Sequence, residues 1–368
     1  MFSRNRLVAA AFAVALGTTF AVQGAGAREN KGGPQTLLTT IKPIRAFAQD
    51  AGRIAWVSGT WDVDVRALGG KRKPRTLPVG SAKPFSGLAP KVLPPHLALA
   101  GSKVLWTRSG GGNELETDIY ARKAGDRHRP RLLEAEAGDN QEGGGFFGAL
   151  VGAGSTAVYS FVDYQCVFDA GGGCSKLALN SFVPGTYRVT GSGSDRLPAV
   201  PTASELAVSG RRVAVLPPAD QITQFPEIAA PPLAEPGLTV EVFDTVTATR
   251  LGQFTPPGTV RALALSGTLG AVVDEAADGT RTIERYNTAT GALIGSTAVA
   301  AGDALVSSGN TLVYAVRNQI EAMDATTGSR QVLAVSPGLP IGLSVVGRRV
   351  AWADDAHGHG RVFAINLP

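Results

Sequence analysis

The chain repeats itself, and the repeat is what limits its choice of fold. Gly-Arg-Arg-Val-Ala occurs at 210–214 and again at 347–351. Used as a probe, it describes a glycine, two turn residues and an alternating apolar strand. The same pattern recurs at Gly101-Ser-Lys-Val-Leu-Trp106, Gly154-Ser-Thr-Ala-Val-Tyr159, Gly267-Thr-Leu-Gly-Ala-Val272 and Gly309-Asn-Thr-Leu-Val-Tyr314. A seventh copy, Gly52-Arg-Ile-Ala-Trp56, is one residue shorter. The twin arginines are therefore turn residues rather than a basic motif, since other copies hold Ser-Lys, Ser-Thr or Asn-Thr.

Each copy is flanked alike. An alternating segment precedes most glycines, as in Leu97-Ala-Leu, Leu206-Ala-Val and Leu343-Ser-Val. This makes a strand, a tight turn and a second strand. A third strand follows, such as Val240-Glu-Val-Phe-Asp or Ile320-Glu-Ala-Met-Asp. Several end in an Asx–Gly turn, as in Asn287-Thr-Ala-Thr-Gly291 and Asp324-Ala-Thr-Thr-Gly328, where the Asx side chain caps the backbone and Gly takes positive φ. A short fourth strand comes next. Four antiparallel strands repeated in tandem are the unit of a β-propeller. The reading is all-β: a seven-bladed β-propeller of four-stranded antiparallel blades over residues 35–368. The last unit lacks its fourth strand, and residues 35–41 belong to no unit. They are expected to complete the last blade, which would remove a free edge.

The segments Thr311-Leu-Val-Tyr-Ala, 320–328 and 283–291 resemble the repeats of quinoprotein-like, TolB-like and WD40-like propellers. The resemblance implies the fold. It carries no cofactor, because the Trp that usually follows Thr-Gly in quinoprotein repeats is missing. Leu293 and Val332-Leu333 occupy that region. No cofactor is expected.

The N-terminus reads as a separate segment. Arg4 and Arg6 precede the uncharged apolar run 7–22, and Ala25-Gly26-Ala27 has the small residues of a cleavage site. Residues 1–27 are expected to be a signal peptide and 28–34 a linker, with no later transmembrane run. The expected location is secreted or otherwise extracytoplasmic. Without Arg4 and Arg6, 33 basic residues face 30 acidic ones. That balance is too mild for a nucleic-acid partner. The expected state is a monomer whose partner is a protein or a cell-envelope ligand.

Spacing between the repeat glycines is 49, 53, 56, 57, 42 and 38 residues. A bare blade needs about 40, so the early blades carry extra length. The extra length lies between second and third strands or between blades, including 58–61, 80–95, 109–118, 134–145, 163–185 and 216–237. Both loop classes emerge on one face of a propeller. Loops on a rigid scaffold are where binding concentrates. The loop-rich face of blades 1–4 is the expected binding surface, with Trp61, Tyr164, Phe168 and Phe225 as contact residues because they break the repeat. Cys166 and Cys174, the only cysteines, are expected to form a disulfide. By contrast Trp56, Trp106, Tyr159, Tyr314 and Trp352 share one repeat position and are expected to pack between blades.

Signs of catalysis are sparse. His-Glu-x-x-His, Gly-x-Ser-x-Gly and Walker patterns are absent. Asp354, Asp355, His357 and His359 have the residue types of a metal site but sit in a glycine-containing hairpin, where a polar turn is the plainer reading. Asp274–Asp278 resembles half of a calcium loop without its closing Glu. The inner strands are rich in Ala, Leu, Val and Ser, and no paired carboxylates are nominated. A non-enzymatic binding scaffold is the first reading, and an enzyme at the channel mouth, a hydrolase, lyase or oxidoreductase, is the second.

Overall fold

The computed structural model describes residues 33–50, 52–59, 62–68, 73–77, 95–110, 115–126, 128–139, 143–180, 185–191, 193–222, 235–356 and 358–368. Among them, all regular structure is β-strand. β1 (Gln35–Thr39) comes first. Blade 1 is β2 (Ile44–Asp50), β3 (Arg53–Ser58), β4 (Val63–Ala67) and β5 (Arg75–Leu77). Blade 2 is β6 (Leu97–Ala100), β7 (Lys103–Gly110), β8 (Leu115–Lys123) and β9 (Arg131–Asp139). Blade 3 starts with β10 (Gly143–Ala153) and β11 (Thr156–Phe168). An accessory strand β12 (Cys174–Leu179) follows, then β13 (Thr186–Val189) and β14 (Ser194–Arg196).

Blade 4 is β15 (Glu205–Ser209) and β16 (Arg212–Leu216), a two-residue accessory strand β17 (Gln221–Ile222), then β18 (Val240–Asp244) and β19 (Arg250–Phe254). Blade 5 is β20 (Thr259–Ser266), β21 (Leu269–Glu275), β22 (Arg281–Asn287) and β23 (Ala292–Ala298). Blade 6 is β24 (Leu305–Ser308), β25 (Thr311–Val316), β26 (Gln319–Asp324) and β27 (Arg330–Val335). Blade 7 is β28 (Ile341–Val346), β29 (Arg349–Ala356) and β30 (His359–Asn366).

The innermost strands β2, β6, β10, β15, β20, β24 and β28 touch in cyclic order, and β28 returns to β2. The ring closes as the orphan segment suggested. β1 pairs antiparallel with β30, Gln35 opposite Ala364 and Thr39 opposite Arg361, and becomes the outer strand of blade 7. The strand ends at Thr39; Ile41, inside the expected segment, lies exposed beyond it.

The repeat glycine has a geometric reason. In blades 2–7 it is the first of two turn residues and has φ between +57° and +61°. Those residues join strands paired Ser209 to Arg212, Ser308 to Thr311 and Val346 to Arg349. Positive φ at the first central position only is the pattern of a II′ hairpin, which suits the twist of the strands. In blade 1, Asp50 pairs with Arg53, so Gly52 is the second turn residue; that is why this copy is one residue short. The Asx turns also form. The Asp324 carboxylate accepts from the N–H groups of Thr326 and Thr327, and Gly328 follows at φ +75°. In blade 4 the same turn places Ala248 in the glycine position at φ +55°.

The core is a set of inter-blade layers. Trp56 packs with Ala351, Ala353 and Val362 of blade 7. Trp106 lies among blade 1 residues, Tyr314 among blade 5 residues and Trp352 among blade 6 residues. Each aromatic at this repeat position fills the gap to the preceding blade, and all five, Tyr159 included, are fully or almost fully buried.

Candidate functional site

Several segments that read as loops are sheet. β9 runs to Asp139 and meets β10 directly, Gly143 opposite Asp139 and Gly144 opposite Gly138. Blades 2 and 3 thereby fuse into one ten-stranded sheet. β11 continues past the propeller body and pairs with β12, Tyr164 opposite Leu179 and Cys166 opposite Leu177. β12 pairs in turn with β17, which comes from the long 216–237 segment of blade 4. A raised wall thus stands on the face of the 2–3 and 4–1 connections, above blades 2 and 3. Glycines permit the junction. A Cβ on Gly144 would lie 2.5 Å from the Ala137 carbonyl oxygen, and one on Gly143 only 2.0 Å from that of Tyr164. The same glycines and polar residues hide the strands from a reading that relies on apolar alternation.

The wall has its own small core. Phe146, Val162, Tyr164 and Leu177 are buried together, with Leu179 and the two cysteines against them. Cys166 and Cys174 are disulfide-bonded, Cα atoms 5.6 Å apart, which staples the β11–β12 hairpin. Tyr164 corrects the expectation placed on it. It is fully buried, its ring edge-on to Phe146, and its hydroxyl donates to the Ala219 carbonyl at 2.8 Å. It joins β11 to the blade 4 segment and offers no surface to a partner. Phe168, at the end of β11, is 63% exposed beside the exposed Val167. Trp61 and Phe225 lie outside the described residues. Glu134, Glu136 and Asp163 line up on the wall: Glu136 packs over Gly145, which pairs with Asp163. Burial pushes all three carboxyls up, and at Glu136 the charges of Glu134 and Asp163 add to it.

Beside the wall is the channel mouth. The channel itself has a volume of about 270 Å3 and is lined by the inner strands, through leucines such as Leu99, Leu150, Leu206 and Leu263 and through polar residues including Gln49, Asp50, Ser307 and Ser344. The entry ends of those strands differ from the rest. Four carry a β-bulge, between Ile44 and Ala46, Phe147 and Ala149, Val260 and Ala262, and Ile341 and Leu343. A bulge re-aims one side chain. In blades 3 and 7 the bulged residue is Gly148 or Gly342, where a Cβ would lie 2.0 Å from the Ala203 carbonyl oxygen or 2.8 Å from that of Phe47. In blades 1 and 5 it is an exposed arginine, Arg45 or Arg261, between buried neighbours.

Blades 2, 4 and 6 bring His96, Glu205 and Asp303 to the same level. Arg261 pairs with Glu275 (2.6 Å), Glu275 with Arg281 (2.6 Å) and Arg281 with Asp303 (2.9 Å). The Glu205 carboxyl has no hydrogen-bonding partner among the described residues. Desolvation and then the Asp303 charge, two blades away, raise its pKa to about 7. That coupling across blade 5 means the two acids share the mouth. The His96 ring lies 4.5 Å from that of Phe147, and desolvation lowers it to about 4. The residue is nevertheless exposed to water. At neutral pH, then, His96 is uncharged and Glu205 is close to half-protonated.

The described residues of the last hairpin do not gather around a metal site. Asp354 is fully buried; its carboxylate accepts from Arg361 (3.1 Å), the Ser336 hydroxyl (3.2 Å) and the Gly338 N–H (3.0 Å). Adjacent strand residues point to opposite sides, so Asp355 lies exposed on the other side, while His359 is exposed at the turn. Asp354 is a structural anchor of blade 7. His357 lies outside the described residues, and among those described no three His, Cys, Asp or Glu side chains converge on a metal-sized site.

His96, Glu205, Arg261 and Asp303 were missed from sequence. The signal was available: each falls five or six residues before its repeat glycine, a polar residue at the edge of an apolar strand.

Comparison with known proteins bears on the fold alone. No family profile and no curated protein matches this chain. Among solved structures, a chain in the crystal structure of a mitotic checkpoint complex is 12% identical. The alignment covers 99% of this chain and 100% of that one, with a TM-score of 0.50. The fold is a β-propeller. The Pan2 WD40 domain of Neurospora crassa is 13% identical over 89% of this chain and 91% of its own, TM-score 0.48. The WD40 propeller of Doa1 is 11% identical over 90% and 96%, TM-score 0.49. At these identities the likeness extends to architecture only.

Proposed function

We propose that this chain is an exported, non-enzymatic propeller that binds a protein or other cell-envelope ligand through the face bearing the raised wall. One observation carries the reading: the elaboration is concentrated on that face. Two blades are lengthened there, two accessory strands are recruited from different blades, and the hairpin is stapled by a disulfide. The staple and the apolar run 7–22 support export. The propeller body supplies rigidity, and the wall presents Phe168 and Val167 as apolar anchors. A photoreactive residue placed at 167 in the full-length exported chain, beside an unchanged or substituted Phe168, tests this. A specific crosslinked partner that Phe168→Asp abolishes is the expected result. Equal partner capture by that variant, with loss only on altering the opposite face, defeats the proposal.

The mouth supports a second reading, an enzyme. A carboxyl titrating near neutrality, on a rim that also carries an uncharged imidazole two blades away, is suited to proton transfer. Its test is a hydrolase and lyase substrate screen with Glu205→Gln alongside. Turnover that survives the substitution eliminates Glu205 as the acid–base group.

A further inference from the structure

The opposite face, that of the short turns, holds a pocket which the reading above does not use. It lies between blades 2 and 3, has a volume of about 240 Å3, and is floored by Leu133 and Val189. Five cations line it: Lys103, Arg122, Lys123, Arg129 and Arg131. Asp126 is the sole acid in the lining. No described carboxylate forms an ion pair with any of the five cations.

Arg122 is the decisive member. It is only 6% exposed, and it lines the pocket from β8. Its Nη2 donates to the Asp126 carbonyl (2.7 Å), but Nε and Nη1 are buried with no hydrogen-bond partner. A guanidinium does not escape such a position by losing its proton. Buried donors without partners are rare, and a buried charge without a counterion is costly. The surroundings add more positive charge. Arg75 also donates to the 125–126 turn, through the Gly125 and Asp126 carbonyls. Lys103 is held over the pocket by the Val189 carbonyl at 3.1 Å. Its pKa is lowered by burial first and then by Lys123 and Arg188. Arg131 abuts Gly193, with the guanidinium 3.1 Å from where a Cβ would stand. The fold has therefore gathered five cations around a cavity against one carboxylate, Asp126, whose attraction at Arg122 ranks behind burial and the repulsion of Arg75.

We propose that this pocket binds a tetrahedral oxyanion, a phosphoryl or sulfuryl group, with room for a small appended moiety. A dianion answers several cations at once, and charge-assisted bonds from Arg and Lys are the strong class for such groups. The site is on the face opposite the wall, so its failure and that of the partner-binding reading are separable.

The test uses the exported full chain and inorganic phosphate, titrated by calorimetry at ionic strength held constant with sodium chloride. Saturable binding is expected, together with a rise in melting temperature that follows phosphate and not chloride. Lys123→Ala with Arg131→Ala, both exposed and safe for folding, should weaken binding by about tenfold or more. Arg211→Ala with Arg212→Ala, on the same face but outside the pocket, should leave it unchanged. Glycerol 3-phosphate and vesicles of phosphatidylglycerol or phosphatidylcholine locate the source of the anion. Phosphatidylglycerol binding that phosphate competes away supports a lipid headgroup. Binding of the soluble anions alone supports a free ligand. No saturable binding of phosphate or sulfate, or equal loss in both double variants, overturns the proposal.

Discussion

Glu205→Gln turns the mouth geometry into a stability measurement. The Glu205 carboxyl titrates at about 7 in the fold against an ordinary value of 4.5. The folded state thus holds its proton over a range where the unfolded chain has released it. For an acid raised in this way, folding is uncompromised below the unfolded pKa. Stability falls as pH rises from about 4.5 to about 7, and the loss is complete above that. At about 1.4 kcal/mol per pKa unit the full effect is about 3 kcal/mol; partial solvent access to Glu205 reduces it to about 1–3 kcal/mol. Glutamine retains the shape without the charge. Urea unfolding of wild type and Glu205→Gln should coincide near pH 4, and the variant should be the more stable by that amount at pH 8. Asp303→Asn should recover a smaller part of the same difference, because Asp303 is the second cause of the shift. A stability difference that does not change between pH 4 and pH 8 would refute the assignment of Glu205 to a desolvated mouth position.

Other consequences follow from closure, turns and anchors. A chain beginning at residue 42 loses the β1–β30 ladder and the partial burial of Leu37 and Leu38; denaturant melts should show a loss of at least about 3 kcal/mol. Gly252→Ala would place a Cβ 1.8 Å from the Thr288 carbonyl oxygen and should prevent folding or cost over about 3 kcal/mol. Gly210→Ala has open space but φ +61°, so its melt should fall by only about 1 kcal/mol. Asp354→Ala strands Arg361 and the Gly338 N–H and should cost about 2–4 kcal/mol by calorimetry, with added metal having no compensating effect. Reduction, or Cys166→Ser with Cys174→Ser, should weaken the wall by about 2–3 kcal/mol in the chain-entropy picture. Hydrogen exchange should show this at residues 174–179, with blades 5–7 unaffected.

Period and punctuation determined the architecture. A glycine at a position that demands positive φ cannot be disguised, and a strand buried on both sides must be apolar along its length. Both constraints are local, so seven copies were legible one by one, as was the missing strand that residues 35–39 supply. The Cys166–Cys174 pair was likewise legible, since a short glycine-rich loop brings the thiols together without help from the rest of the chain. Tertiary structure alone decided the wall and the mouth. Residues 134–145 look like a loop because their glycines and acids carry no alternation, yet backbone approach across blades makes 134–139 and 143–145 sheet. Tyr164 reads as a surface aromatic until β12 and the Ala219 carbonyl close over it. Asp354 reads as part of a plain polar turn until burial, Arg361 and Ser336 make it an anchor. Glu205 and Asp303 are almost a hundred residues apart, and only the curvature of the ring brings their charges together. Local rules set which strands exist; long-range enclosure sets which polar groups meet, and therefore where chemistry is available.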